Sequence, residues 1–213
     1  MKYFWQFFAV IIGLSAVIFL FFVLSVKTKD SITFTGQRIV TTPEITSADP
    51  SRGPANAPVT LVMYEDFQCS ACAELEPVLN TLLANYGTAL RLVWKDLPNN
   101  GAHPEAIPAA VAARCAGKQN KFWEFHDTLM ANQPLLGDDL YTRIAGELKL
   151  KANAFSQCVK NQDTLPLVER GYDEGLALQI ASTPTIFLNG TRYSGSLSLS
   201  ELTRAIDALL PTM

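Results

Sequence analysis

The stretch EDFQCSACAELEP, from Glu65 to Pro77, places two cysteines in a Cys-x-x-Cys spacing, just after an apolar run and just before a helical pattern. Three chemistries use such a pair: half of a zinc site, a structural disulfide, or a redox-active dithiol. A strand-to-helix junction suits the third. A cysteine at a helix N-terminus meets unpaired N–H groups and the positive end of the macrodipole, which favour its thiolate. The thiolate is the nucleophile of disulfide exchange. This reading makes Cys69 the attacking sulfur and Cys72, one turn along, the resolving thiol. Zinc would need four ligands, and the remaining Cys115, Cys158, His103 and His126 stand at none of the expected spacings, so no metal is expected. A bridge between Cys69 and Cys72 alone closes too small a loop to restrain the unfolded chain much.

The elements that must hold this pair follow from periodicity. VTLVMYEDF, from Val59, is β-rich and reads as a strand. The segment from Cys69 to Gly87 carries a helical stripe of Ala73, Leu75, Val78, Leu79, Leu82 and Leu83, with Pro77 inside it as an expected kink. ALRLVWKDLP is the next strand, completing a βαβ unit. From about Pro104 to Gly175 four amphipathic stretches follow one another. STPTIFLNGTRYSG then reads as a hairpin turning at Asn189-Gly190, and SLSLSELTRAIDALL as a closing helix capped by Ser198 or Ser200.

Trp5 to Val26 is uncharged over 22 residues, long enough for a membrane helix rather than a short cleavable signal. Lysines flank both ends, so charge does not set its orientation. The organisation read from the chain is an anchor at 1–26, a linker at 27–57, a sheet domain assembled from 58–103 and 176–213, and an inserted helical domain at 104–175. Within the linker, 31–40 has the pattern of an edge strand. A formal net charge of -3 argues against a nucleic-acid partner.

RGPANAPVTLVMYEDFQCSACAELEP, with Pro77 eight residues after Cys69 and the later STPT, resembles the thioredoxin superfamily. The helical block, with AAVAARCAGKQNKFWEFHDTLMAN and NAFSQCVKN, is similar to its DsbA-like branch over about residues 50–210. The resemblance implies an α/β thioredoxin-like fold with a helical insertion, and an extracytoplasmic thiol:disulfide oxidoreductase needing no cofactor. It implies a cis Pro184 facing the cysteines, with the Thr183 backbone offered to substrate. It also implies a second disulfide between Cys115 and Cys158; two free buried cysteines are the alternative.

The chain departs from the family's pattern at two places. The buried acid often found six residues before the first cysteine is Met63 here; Glu65, on the same strand face, either replaces it or only rings the site together with Asp66. The intervening dipeptide is Ser70-Ala71 rather than one with histidine, which predicts a weaker oxidant. Lys95 matches a charged position common near the site, or is simply solvated. His103 and His126 read as capping or packing residues. Phe122, Trp123 and Phe125 read as core, or as an apolar surface for substrate.

The resulting expectation is a membrane-tethered monomer that oxidises reduced exported proteins and is itself reoxidised by a membrane partner. A tethered reductase or isomerase is the first alternative. A copper-binding or chaperone module is the second.

Overall fold

The computed structural model describes residues 41–195 and 197–210. The stretch read as a membrane anchor and the edge strand read at 31–40 lie outside these residues. Among the described residues no helix is long and apolar enough to cross a membrane.

Five strands form one sheet: β1 (Ser51–Arg52), β2 (Val59–Glu65), β3 (Leu90–Asp96), β4 (Thr185–Leu188) and β5 (Thr191–Ser194), in the order β1-β3-β2-β4-β5. The central β2–β3 pair is parallel, from Val59 opposite Leu90 to Glu65 opposite Asp96, and the other pairs are antiparallel. A parallel pair needs a crossover, and α1 (Ser70–Tyr86) supplies it, running through Pro77 as one helix of 17 residues. β4 and β5 turn at Asn189 and Gly190, both with positive φ, as a two-residue hairpin loop of this twist requires.

Strand alternation assigns two faces. Leu61, Met63, Leu92 and Trp94 join the main core with Cys69, Cys72 and Leu75. Val62, Tyr64, Val93 and Phe187 build a smaller core on the opposite face with Leu97, Leu178 and Ile180. The insertion comprises α2 (Ala106–Gly117), α3 (Phe122–Ala131), α4 (Asp138–Glu147), α5 (Ala152–Lys160) and α6 (Leu165–Ala177). Gly171 lets α6 lie against β3: a Cβ there would stand 2.7 Å from the Asp96 carbonyl. The last helix, α7 (Leu199–Asp207), opens on a full capping box between Ser198 and Glu201.

Residues 41–57 were expected to be irregular linker, and here the structure differs. β1 pairs with β3 through Ser51–Val93 and Arg52–Leu92. The Lys95 ammonium, 2 % exposed, needs anionic partners, and it finds Asp49 at 3.0 Å and Glu174 at 2.9 Å, plus the Glu44 carbonyl at 2.5 Å. A buried ammonium without such partners would be strongly destabilising. The segment is therefore docked on the sheet domain by charge as well as by strand pairing.

Candidate active site

The turn between β2 and α1 is tied down at both ends before any cysteine chemistry begins. The Cys69 N–H donates to the Asp66 carbonyl at 3.0 Å. The Asp66 carboxylate, itself buried, accepts from the Gln68 N–H at 2.7 Å and the Asn99 N–H at 2.9 Å, and it contacts His103 Nδ1 at 2.7 Å. From the insertion, Gln133 Nε2 donates to the Phe67 carbonyl at 2.9 Å and to the Cys69 carbonyl at 2.8 Å. These bonds place Cys69 at the N-cap of α1. Asp66, His103 and Gln133 thus hold the frame of the site. These roles of Asp66 and Gln133 are not legible in the sequence, because bonds between residues tens of positions apart leave no periodic signal.

Cys69 is 7 % exposed and Cys72 fully buried, and both are free thiols. The Thr183–Pro184 bond is cis, and Cys69 Sγ lies 3.6 Å from the Thr183 carbonyl. The pair is electrostatically unequal. The hydrogen bond from the Cys72 thiol is the main reason that Cys69 falls to a pKa of about 6; partial burial opposes it, and the Thr183 side chain and the Cys72 N–H add to it. Asp66 pushes weakly the other way. Cys72 is pushed far up by burial first, then by its bond to Cys69 and by the nearby Glu65 and Cys69 charges. One sulfur is poised as thiolate and the other keeps its proton, the asymmetry that attack and resolution require.

Ser70 and Ala71 open α1, Ser70 exposed and Ala71 half-buried, and neither brings a charge. Glu65 is fully enclosed on the Cys72 side of the sheet. The tuning role expected of Lys95 is corrected. Its parallel partner is Tyr64, so its side chain belongs to the opposite sheet face, where it is bound by Asp49 and Glu174. Cys115 and Cys158 are bonded to each other, joining α2 to α5. Phe122 and Phe125 are core, whereas Trp123 is partly buried beneath the Arg52 guanidinium, 4.4 Å from its ring centre. His126 is fully buried against Phe67, Trp94 and Trp123.

A thiolate of this kind is measurable. Thiolate absorbance of the reduced protein should titrate with a midpoint at about 6. The sign for stability follows: a thiol depressed in the fold stabilises the reduced protein fully above the free-cysteine range, near about 8.5, and that stabilisation is lost as pH falls through about 6. The disulfide form has no such dependence. Denaturant curves of the two forms should therefore converge or cross as pH is lowered from 8 to 5. A midpoint above about 8, the range of an unperturbed thiol, would contradict the arrangement described.

A central parallel pair, a dithiol at the N-cap of the crossover helix and a cis-proline loop facing it define a dithiol protein of thioredoxin fold. The family model described as Thioredoxin matches residues 46–208, and the chain belongs to that family. Its fold is that of the DsbA-like thiol-disulfide oxidoreductases. BdbD from Bacillus subtilis superposes with a TM-score of 0.71 at 22% identity, covering 79% of this chain and 95% of that one. The thiol-disulfide exchange protein alpha-DsbA2 from Wolbachia pipientis gives 0.69 at 18% identity, covering 77% and 88%. Among curated proteins, the Na(+)/H(+) antiporter NhaA 3 of Salinispora tropica is 37% identical over 158 residues, which is 74% of this chain. The matched part is 24% of that antiporter, so this chain spans about a quarter of the length of such relatives.

Proposed function

We propose that this chain is a thiol:disulfide oxidoreductase of the extracytoplasmic side, introducing disulfides into exported proteins by exchange at Cys69–Cys72. The observation that carries the reading is the unequal pair: a Cys69 thiolate beside the Thr183 carbonyl, backed by a buried Cys72 that keeps its proton. A substrate thiolate attacks Cys69 of the oxidised pair and forms a mixed disulfide. A second substrate thiol then attacks the substrate sulfur of that bond, leaving a substrate disulfide and the reduced pair. A membrane redox partner reoxidises the dithiol.

Thr183 and Pro184 present backbone to an extended substrate strand, which gives sequence-independent binding by strand addition. A small open cavity of about 210 Å³ adjoins Thr183, lined by Leu97, Leu176 and Ile180 and by the polar Asn99, Asn100 and Ser182. Its mixed lining suits the backbone and varied side chains of an unfolded polypeptide. The Cys115–Cys158 bridge supports an oxidising compartment, and the uncharged stretch from Trp5 to Val26 supports tethering to the membrane.

A Cys69 pKa of about 6 lies between the values of about 3.5 and about 7 for the strongest oxidant and for thioredoxin. The reduction potential against glutathione should accordingly fall between about -120 and about -270 mV. The oxidised protein should restore activity to a reduced, denatured disulfide enzyme. A potential at or below about -270 mV, with no such reactivation, would replace this reading by a tethered reductase.

A further inference from the structure

Three side chains far apart in sequence converge in the core. Glu65 comes from β2, Glu76 from α1 and His126 from α3, and each brings an oxygen or nitrogen to within 4.8 Å of the other two. Glu65 and His126 are fully buried, and the Glu76 side chain is 13% exposed. Both Glu65 oxygens, Glu76 Oε1 and His126 Nε2 are buried with no hydrogen-bond partner among the described residues. His126 Nε2 and Glu76 Oε1 stand 3.6 Å apart, too far for a hydrogen bond.

The hydrogen bonding of the ring sharpens the problem. His126 Nδ1 contacts Asp127 Oδ1 at 2.9 Å, and Asp127 is paired with Arg52. A carboxylate at that position accepts the ring proton at Nδ1 and turns the Nε2 lone pair toward the two glutamates. Phe67, Trp94 and Trp123 pack around the imidazole, with ring centres 5.5, 4.7 and 5.0 Å away, and fix its orientation. Four acceptor atoms then share one space with no donor among them. Leaving such groups buried and unpaired is costly. A single divalent cation satisfies all four.

We propose that Glu65, Glu76 and His126 form a site for one divalent transition metal of the zinc type, with Glu65 binding through both oxygens. The donor set selects the metal class. One imidazole and two carboxylates suit zinc, whereas calcium and magnesium take about six or more oxygen ligands, often with water among them. Zinc bonds of about 2.0–2.2 Å place neighbouring donors roughly 3–3.6 Å apart, and the separation of His126 from Glu76 already meets this. A doubly positive ion, two carboxylates and a neutral imidazole sum to zero, so the filled site adds no net charge to the core. Asp127 is the outer partner that orients the histidine. Glu76, the partly exposed member, marks the way in. The ion would tie strand, crossover helix and insertion together. Spacing along the chain carries no trace of this set, because its members come from three elements. The site uses neither Cys69 nor Cys72.

That independence shapes the test. The full chain, stripped of metal and with Cys69 and Cys72 oxidised so that neither sulfur can bind, is titrated with zinc against a chromophoric chelator. One equivalent should bind, and Tm should rise by about 5–10 °C at a zinc concentration about 100 times Kd. Cobalt in place of zinc should give the visible bands of a four-coordinate site and no sulfur charge-transfer band. Glu65→Gln, Glu76→Gln and His126→Gln should each weaken zinc binding by more than about 100-fold, and Asp127→Asn by about 10–100-fold, the scale of an outer partner. Glu74→Gln, at an exposed position on the same helix, should bind as the unsubstituted protein does. If the unsubstituted oxidised protein binds no zinc, the site is overturned. It is equally overturned if the three variants bind within twofold of it, or if binding appears only after reduction and with a sulfur charge-transfer band. Thermal melts identify a variant that does not fold, and the cobalt spectrum of the unsubstituted protein then decides.

Discussion

Cys69→Ser should abolish disulfide exchange, lowering the rate by more than about a thousandfold, while Cys72→Ala, which cannot form the oxidised pair, should still let the Cys69 thiolate attack a substrate disulfide and stall at the mixed disulfide. The two sulfurs differ enough in the structure for these variants to fail in different ways. With a pKa of about 6, Cys69 is roughly nine-tenths thiolate at pH 7, by the ordinary titration relation. Serine supplies neither a thiolate nor a sulfur that can be attacked. Cys72 lies beneath it, fully buried. Removing Cys72 leaves a mixed disulfide at Cys69 with no internal thiol to resolve it, so covalent complexes with substrate proteins should accumulate and be visible on non-reducing gels. The hydrogen bond from Cys72 is also the largest cause of the low Cys69 pKa. The Cys69 titration in Cys72→Ala should therefore move upward from about 6. Exchange activity retained by Cys69→Ser, or a Cys72→Ala protein with an unmoved titration and no trapped complexes, would remove this assignment.

Much of this site could be read from the chain because its parts are local. The dithiol, the helix that follows it and the flanking strands are contiguous, and Asn189-Gly190 announces its own turn. Strand alternation within LRLVWKD already separates Trp94 from Lys95, so the distant position of Lys95 was available in principle. What charge partners Lys95 has could not be read: Asp49 and Glu174 come from segments far away in sequence, and the first belongs to a stretch whose composition suggests only irregular chain. The same holds for Gln133, a lone amide reaching back from the insertion to two carbonyls of the cysteine turn. His126 was legible as a packing residue but not as the neighbour of Glu76, because their juxtaposition depends on how α3 packs against α1. Helix periodicity shows which face is apolar, but not which polar atom ends up opposite which.

Replacing both Cys115 and Cys158 by alanine should destabilise the fold by up to about 4 kcal/mol, the chain-entropy value for a bridge closing 43 residues. Roughly 2–4 °C per kcal/mol for a chain of this size converts that to a fall of about 8–16 °C in Tm. The bridge joins α2 to α5 inside the insertion, both sulfurs are buried, and Thr164 beside it donates from its hydroxyl to the Val111 carbonyl at 3.1 Å. Neither helix bears a residue that contacts Cys69 or Cys72 in the pair's own hydrogen bonding. The Cys69 titration should thus stay at about 6 in the double variant while the melt falls. A titration that shifts together with the melt would show that the insertion sets the redox pair through Gln133 and the α3 packing. A melt that hardly moves would show that the unfolded chain is already compact across this loop, so the bridge constrains it little.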